Sequence, residues 1–178
     1  MKKFLKYNIT AASLILAAVI LLSVLFGFNR TAAALSADLR NVYFGEGEDG
    51  TGRYGNVSSA VSAYLDTAEE LSRLTGAPAA LEDAIRAAEP LRNSPFGSRD
   101  AFLRLADAAD SAYHTYAGGA SSDNGEVKAV YMAMESGKKR LSGFREYAAL
   151  VGKYNRTVSA FPGRFLVFGR PEAAVFEE

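Results

Sequence analysis

Twenty consecutive residues without a charge, Ile9 to Phe28, constrain this chain more than any other feature in it. Coiled as a helix they extend about 30 Å, the thickness of the hydrocarbon core of a bilayer. Only Thr10, Ser13, Ser23 and Gly27 interrupt the apolar run. A cleaved signal peptide is the competing reading, because Lys2 and Lys3 give a basic start and Ala32 to Ala34 are small enough for a peptidase. The apolar region of a signal peptide runs about 7 to 15 residues, so a retained anchor helix over 9–28 is expected instead. Lys2, Lys3 and Lys6 precede the span, whereas Arg30, Asp38 and Arg40 beyond it nearly cancel. The positive-inside rule then makes residues 1–8 a short cytoplasmic tip and places the rest of the chain outside, as a single-pass membrane protein.

The anchor also explains the charge. The 178 residues carry 20 Lys plus Arg against 20 Asp plus Glu, but residues 1–30 hold four bases and no acid. The remaining 148 therefore hold sixteen bases against twenty acids. A mildly acidic outer part has no basic face with which to neutralise phosphates, and no nucleic-acid partner is expected. The chain has no Cys and a single His. Thiol catalysis, Cys-type zinc sites, iron–sulfur clusters, disulfides and lipidation at a cysteine are thereby excluded, and multi-His metal sites nearly so.

Beyond the span the pattern is helical throughout. Val57, Val61, Tyr64, Leu65, Ala68 and Leu71 recur at three- and four-residue steps and stop near Gly76. Pro78, Glu82 and Asp83 suit the start of a second helix, with Leu81, Ile85, Ala88 and Leu91 as its stripe. Asn93 to Ser98 is a break, and Ser98 is placed to cap a third helix facing inward with Phe102, Leu105, Ala106, Ala109, Tyr113 and Tyr116. Gly118 and Gly119 end it. Asp123 and Glu126 resemble a capping box that opens a last, long helix. Its stripe runs through Val127, Val130, Tyr131, Met134, Leu141, Phe144, Ala148, Val151, Tyr154 and Val158 to Pro162, with a kink expected at Ser136–Gly137. Such a helix is roughly 55 Å long and needs a partner of similar length. The anchor helix, continuing through Leu35, Leu39 and Val42, is the natural one. The expected fold is all-α: one transmembrane helix followed by an antiparallel helical bundle over 29–162. The tail, 163–178, carries Phe165, Leu166, Val167, Phe168, Val175 and Phe176 and is too apolar to stay free, so it is expected to dock.

Candidate chemistry thins out on inspection. Phe44 to Gly55 reads as a glycine-rich acidic loop in which Gly45, Gly47 and Gly50 spell G-x-G-x-x-G. No strand precedes it, and Glu46, Glu48 and Asp49 would repel a pyrophosphate, so no dinucleotide cofactor is expected. The same carboxylates over 46–49 are hard calcium donors, but their spacing is not that of an EF-hand and calcium is not expected either. His114 with Asp110 and Ser111 lacks both a third ligand and an oxyanion hole and reads as a solvated or interhelical histidine. Asp107 and Asp110, which could pair as carboxylates for acid–base work, lie on a helix face with Arg104 one turn before Asp107 and read as salt-bridged surface. Lys138, Lys139 and Arg140 read as a solvated helix face, the alternative being contact with anionic lipid or polymer. Asn8, Asn29, Asn56 and Asn155 head sequons that matter only in a cell that glycosylates. No constellation combines nucleophile, base and stabiliser, so no enzyme activity, catalytic residue, cofactor or metal is expected.

Arg145, Tyr147, Tyr154-Asn155, Val158 and Phe161-Pro162, followed by Phe168-Gly169 and Val175-Phe176-Glu177, resemble the closing signature of the LemA family. The layout of basic start, single early span, helical outer domain and no cysteine is similar too. Three elements differ: Gly55 before Asn56-Val57 stands in place of the family's proline with the glycine-rich acidic loop where its double arginine would lie, Ala148 follows Tyr147 in place of Asn, and the family's G-F after the proline stands here as Phe168-Gly169. The resemblance implies a membrane-anchored helical protein of the bacterial envelope that binds or scaffolds a membrane or envelope partner, or self-associates. A ligand-sensing bundle that signals through a partner protein is the alternative, and an unrecognised hydrolase a remoter one. Tyr147, Tyr154 and Phe161 lie seven apart on one helix face, an aromatic stripe that serves either as core packing or as a docking surface. Together with Asn155, Pro162, Phe168 and Phe176 they are the residues the resemblance singles out.

Overall fold

The computed structural model describes residues 2–45, 56–98, 100–119, 125–159 and 170–176, with the backbone alone for 2–10. The acidic loop carboxylates Glu46, Glu48 and Asp49, the helix-capping Asp123, and Phe161, Pro162 and Phe168 of the resemblance lie outside the described residues. The fold is all-α, with six helices among the described residues: α1 (Lys2–Phe44), α2 (Val57–Leu74), α3 (Ala79–Ala88), α4 (Ala101–Ala117), α5 (Gly125–Ser142) and α6 (Arg145–Ser159). A 3₁₀ turn, Glu89–Arg92, follows α3.

The first helix does two jobs along one axis. Between Leu14 and Phe26 its large apolar side chains stand exposed, and the helix is long and apolar enough to cross a membrane with none of its most apolar window covered by protein. Polar side chains in and just beyond this stretch fold back on the helix itself: Ser23 Oγ donates to the Val19 carbonyl at 2.8 Å and Thr31 Oγ1 to that of Gly27 at 2.9 Å. Such back-bonding leaves no hydroxyl in want of water. From Phe28 onward the same helix enters the protein core. Phe28, Ala32, Leu35, Leu39 and Val42 alternate four- and three-residue steps and are buried or half-buried, the spacing of a coiled-coil seam. The complementary seam is Phe144, just before α6, with Tyr147, Val151, Tyr154 and Val158 of α6. Tyr43 near the end of α1 meets Tyr147 near the start of α6, ring centroids 5.7 Å apart, so the two helices run antiparallel. Eleven residues along each at about 1.5 Å per residue bring Val158 level with Ala32, just beyond the apolar span.

The stretch from Val127 to Val158 is present as two helices rather than one. The Gly143 N–H bonds the Arg140 carbonyl at 3.2 Å and the Phe144 N–H that of Leu141 at 3.2 Å, which closes α5 with a tightened turn. A Cβ at Gly143 would lie 3.1 Å from the Arg140 carbonyl oxygen, a tight contact that glycine avoids. The break lets the two halves take different partners, α5 packing along α2 and α6 along α1. α5 runs as one helix through Ser136–Gly137, the pair that sequence marks as a place for a kink. Gly137 sits inside α5, where a Cβ would come within 3.1 Å of the buried Tyr64 ring, so its missing side chain serves the close approach of α2 and α5.

Other ends follow local chemistry. Asn56 caps α2 by accepting from the Ser59 N–H, and Gly76, at φ +84°, ends it with the Ala77 N–H on the Ser72 carbonyl at 2.7 Å. The cap expected of Ser98 falls two residues later, at Asp100, and without a side-chain bond. The stripes of α2 and α4 are buried as their spacing predicts, with Tyr113 and Tyr116 of α4 half-buried. Arg92, which periodicity could not single out, ties the 3₁₀ turn to α2 through Asp66 (2.6 Å), Glu69 (2.7 Å) and Glu89 (2.8 Å). Burial works against its charge, but the three carboxylates outweigh it and hold its pKa above the ordinary arginine value.

Two glycines separate packing from propensity. Gly137→Val drives branched carbon into Tyr64 and is expected to cost about 1–3 kcal/mol in chemical denaturation. Gly152→Ala, at a helical position with nothing near its missing Cβ, is expected to stabilise by about 0.5–1 kcal/mol.

Candidate functional site

The residues behind the resemblance that are described converge on one place, a groove that holds the extended segment 170–176. Its floor is α6, one wall the break at 95–97, and its far end the start of α4. The segment runs antiparallel to α6, Pro171 lying by Tyr154 and Phe176 by Tyr147.

An extended backbone among helices lacks the ladder a sheet would provide, and each of its buried N–H and C=O groups needs a substitute. On one side the substitute is a short piece of chain. The Gly97 N–H donates to the Glu172 carbonyl at 3.2 Å and the Ala174 N–H to that of Pro95 at 2.9 Å, an isolated antiparallel bridge between Phe96 and Ala173. On the other side it is the carboxamide of Asn155. Its Nδ2 donates to the Ala173 carbonyl at 2.9 Å, and its Oδ1 accepts from the Ala173 N–H at 2.8 Å. A carboxamide has the donor and acceptor of a peptide unit in one plane, so Asn155 acts as a one-residue neighbouring strand. The Tyr147 hydroxyl donates to the Ala174 carbonyl at 3.1 Å and the Tyr154 hydroxyl to that of Pro171 at 3.0 Å. Ser159 Oγ bonds the Glu172 carboxylate.

Side chains add shape. Ala173 and Ala174 are fully buried, and Phe176 is 3% exposed. Phe176 stacks on Tyr147 at 5.2 Å and meets Phe102 edge-on at 5.1 Å, while Tyr43 packs on Tyr147 and Phe102 on Tyr64. This row of rings joins α1, α6, the segment, α4 and α2. Tyr43 also bonds the Leu91 carbonyl through its hydroxyl. Phe96 packs on Tyr154 at 5.3 Å beneath the Arg40 guanidinium, which lies 5.5 Å from its ring. The space left beside Phe176 is about 10 Å³, enough for one water at most. What the arrangement does chemically is bind a peptide: backbone hydrogen bonds on both edges, two buried alanine positions and one aromatic socket.

The remaining candidates stay apart from this groove. Among the described residues no three His, Asp or Glu side chains are placed to hold a metal ion. His114 is exposed at the edge of a stacked pair, Tyr113 and Tyr131, whose rings are 3.9 Å apart. Asp110, read in sequence with Asp107 as salt-bridged surface, accepts a bond from the Tyr131 hydroxyl at 3.0 Å. That link joins α4 to α5, and burial, the bond and the charges of Asp110 and Glu135 push the Tyr131 phenol up to about 12. Lys139 and Arg140 are exposed and Lys138 half-buried. Of the sequon asparagines, Asn56 spends its oxygen on the α2 cap and Asn155 its whole carboxamide on Ala173. An open groove of about 550 Å³ between α2 and α3 is lined by both signs, Glu69, Glu82 and Glu89 with Arg73 and Arg86. It therefore presents no single charge to a ligand.

Two measurements test the clamp. Asn155→Ala strands the buried N–H and C=O of Ala173 and is expected to cost about 1–3 kcal/mol and to speed hydrogen exchange at the Ala173 amide. Asn155→Asp sets a carboxylate against the Ala173 carbonyl and is expected to be at least as damaging. Burial also raises the Tyr147 phenol well above its ordinary value of 10.0. A folded pKa above the unfolded one contributes stability that is intact below pH 10 and is lost as pH climbs from there toward the folded value. Thermal midpoints are thus expected to fall above pH 10, and less steeply in Tyr147→Phe. Compared with known protein families, curated proteins and solved structures, the chain matches none.

Proposed function

We propose that this protein is a single-pass, membrane-anchored helical-bundle protein of LemA type, whose outer domain acts as a non-enzymatic scaffold or partner-binding module of the bacterial envelope. The observation that carries this reading is the continuity of α1. Between Leu14 and Phe26 it exposes a run of large apolar side chains such as a bilayer would cover, and from Phe28 onward it packs as a seam of the bundle core. The bundle is thus tied to the bilayer by a helix rather than by a flexible tether, which suits presentation of a surface at a set height. The charge step, four bases in residues 1–30 and a net acidic remainder, supports a cytoplasmic start and an outer bundle. The partner-binding part is supported by the chemistry of the groove, which satisfies backbone groups and seats a ring.

Protease treatment of intact spheroplasts tests the arrangement. The bundle is expected to be digested along with a known outer-face control, leaving a membrane-protected fragment that contains the span. Survival of the bundle under those conditions would show the opposite orientation, and recovery of a shortened protein in the soluble fraction would show cleavage of the anchor.

A further inference from the structure

We propose that the Asn155 groove is also filled in trans: segment 170–176 of one anchored copy seats in the groove of a second copy, and the exchange is reciprocal. The inference rests on the anchored reading above. Three features of the groove carry it. First, its contacts are blind to which copy supplies the peptide. Asn155, Tyr147, Tyr154, Pro95 and Gly97 read backbone groups of 171–174, and the aromatic socket reads only Phe176, so every bond in cis has an identical counterpart in trans.

Second, the groove is open along its outer edge. Pro171 is exposed and Glu172 and Val175 are half-buried, so the segment can leave without any helix unfolding. Third, the connection is longer than its local task requires. Ser159 touches Glu172 directly, yet ten residues, 160–169, separate the end of α6 from Arg170. Ten residues reach about 33 Å, against roughly 10 Å between the axes of neighbouring packed helices. The same length of chain serves the copy's own groove or the one beside it.

The bilayer supplies what exchange in solution lacks. A tethered ligand sees its own site at an effective concentration on the order of millimolar, so cis filling wins among dilute soluble copies. Anchors confine copies to two dimensions and hold all grooves at one height and one polarity. Two copies related by a two-fold axis along the membrane normal then face each other with matching grooves, a closed isologous arrangement.

The chain has no cysteine, which makes the test free of background. Ser159→Cys is placed in one tagged copy and Glu172→Cys in a copy with a different tag, and both are expressed in one membrane and treated with a short thiol-specific crosslinker. Both substitutions in a single chain provide the cis control. The expected result is a covalent product carrying both tags, lost when the Glu172→Cys copy also carries Phe176→Ala. If Phe176→Ala fails to fold, as read by circular dichroism, Asn155→Gln in the Ser159→Cys copy takes its place. Absence of the two-tag product overturns the proposal, and so does a product that survives these substitutions, since that reports collision rather than exchange. Protease accessibility reads the anchor independently, so a failed exchange leaves the anchored reading standing.

Discussion

One residue of extended backbone, buried between helices, sets the terms for the second half of this fold. Ala173 has no exposed surface, and both its N–H and its C=O are satisfied by the side chain of Asn155. An unpaired buried peptide group costs about 1–3 kcal/mol, so without that carboxamide the segment would not stay. Without the segment, Phe176 would leave the row of rings that joins α1, α6, α4 and α2. The bridge to 95–97 depends on the same placement, because Pro95 and Gly97 address the groups on either side of Ala173. A polar amide on a helix thus holds together packing that is otherwise aromatic and aliphatic.

The other organising constraint is length. α1 has 43 residues, about 65 Å, and its exposed and buried halves share one axis with no break between them. Whatever surrounds the first half is therefore mechanically continuous with the core of the bundle. α6 is the element that uses this continuity, since it lies antiparallel along the second half of α1 and carries the groove on the same turns. The arrangement accounts for the two tyrosines seven residues apart: each ring packs inward and each hydroxyl spans the remaining distance to the segment.

Much of this was open to reading in the residues. The stripes of α2 and α4, the extension of the apolar first helix through Leu39 and Val42, its pairing with the last helix and the docking of residues 170–176 all follow from spacing and composition, because burial of an apolar face at helical period has few solutions. The split between α5 and α6 was not open to reading. Gly137 and Gly143 are alike in sequence, each a glycine in a helical stretch, and only the neighbour decides that one admits the Tyr64 ring while the other turns the chain. Asn155 looked like half of a family motif and the head of a sequon, and Pro95-Phe96-Gly97 looked like a break. Nothing local says that they face the same alanine from opposite sides.

Sequence by itself determined the class of structure: a helical chain with one apolar span, no thiol chemistry and a net acidic remainder beyond that span. Those properties depend on residue type and period, which the linear order displays. Tertiary structure alone decided which helix each face meets, where the long final stretch breaks, and that the tyrosines and the asparagine of α6 bind the chain's own extended segment. Those outcomes depend on contacts between residues distant along the chain, such as Tyr43 with Tyr147 and Asn155 with Ala173, and the hydrogen-bonding need of a buried peptide group selects among them only once the helices have brought its candidate partners into reach.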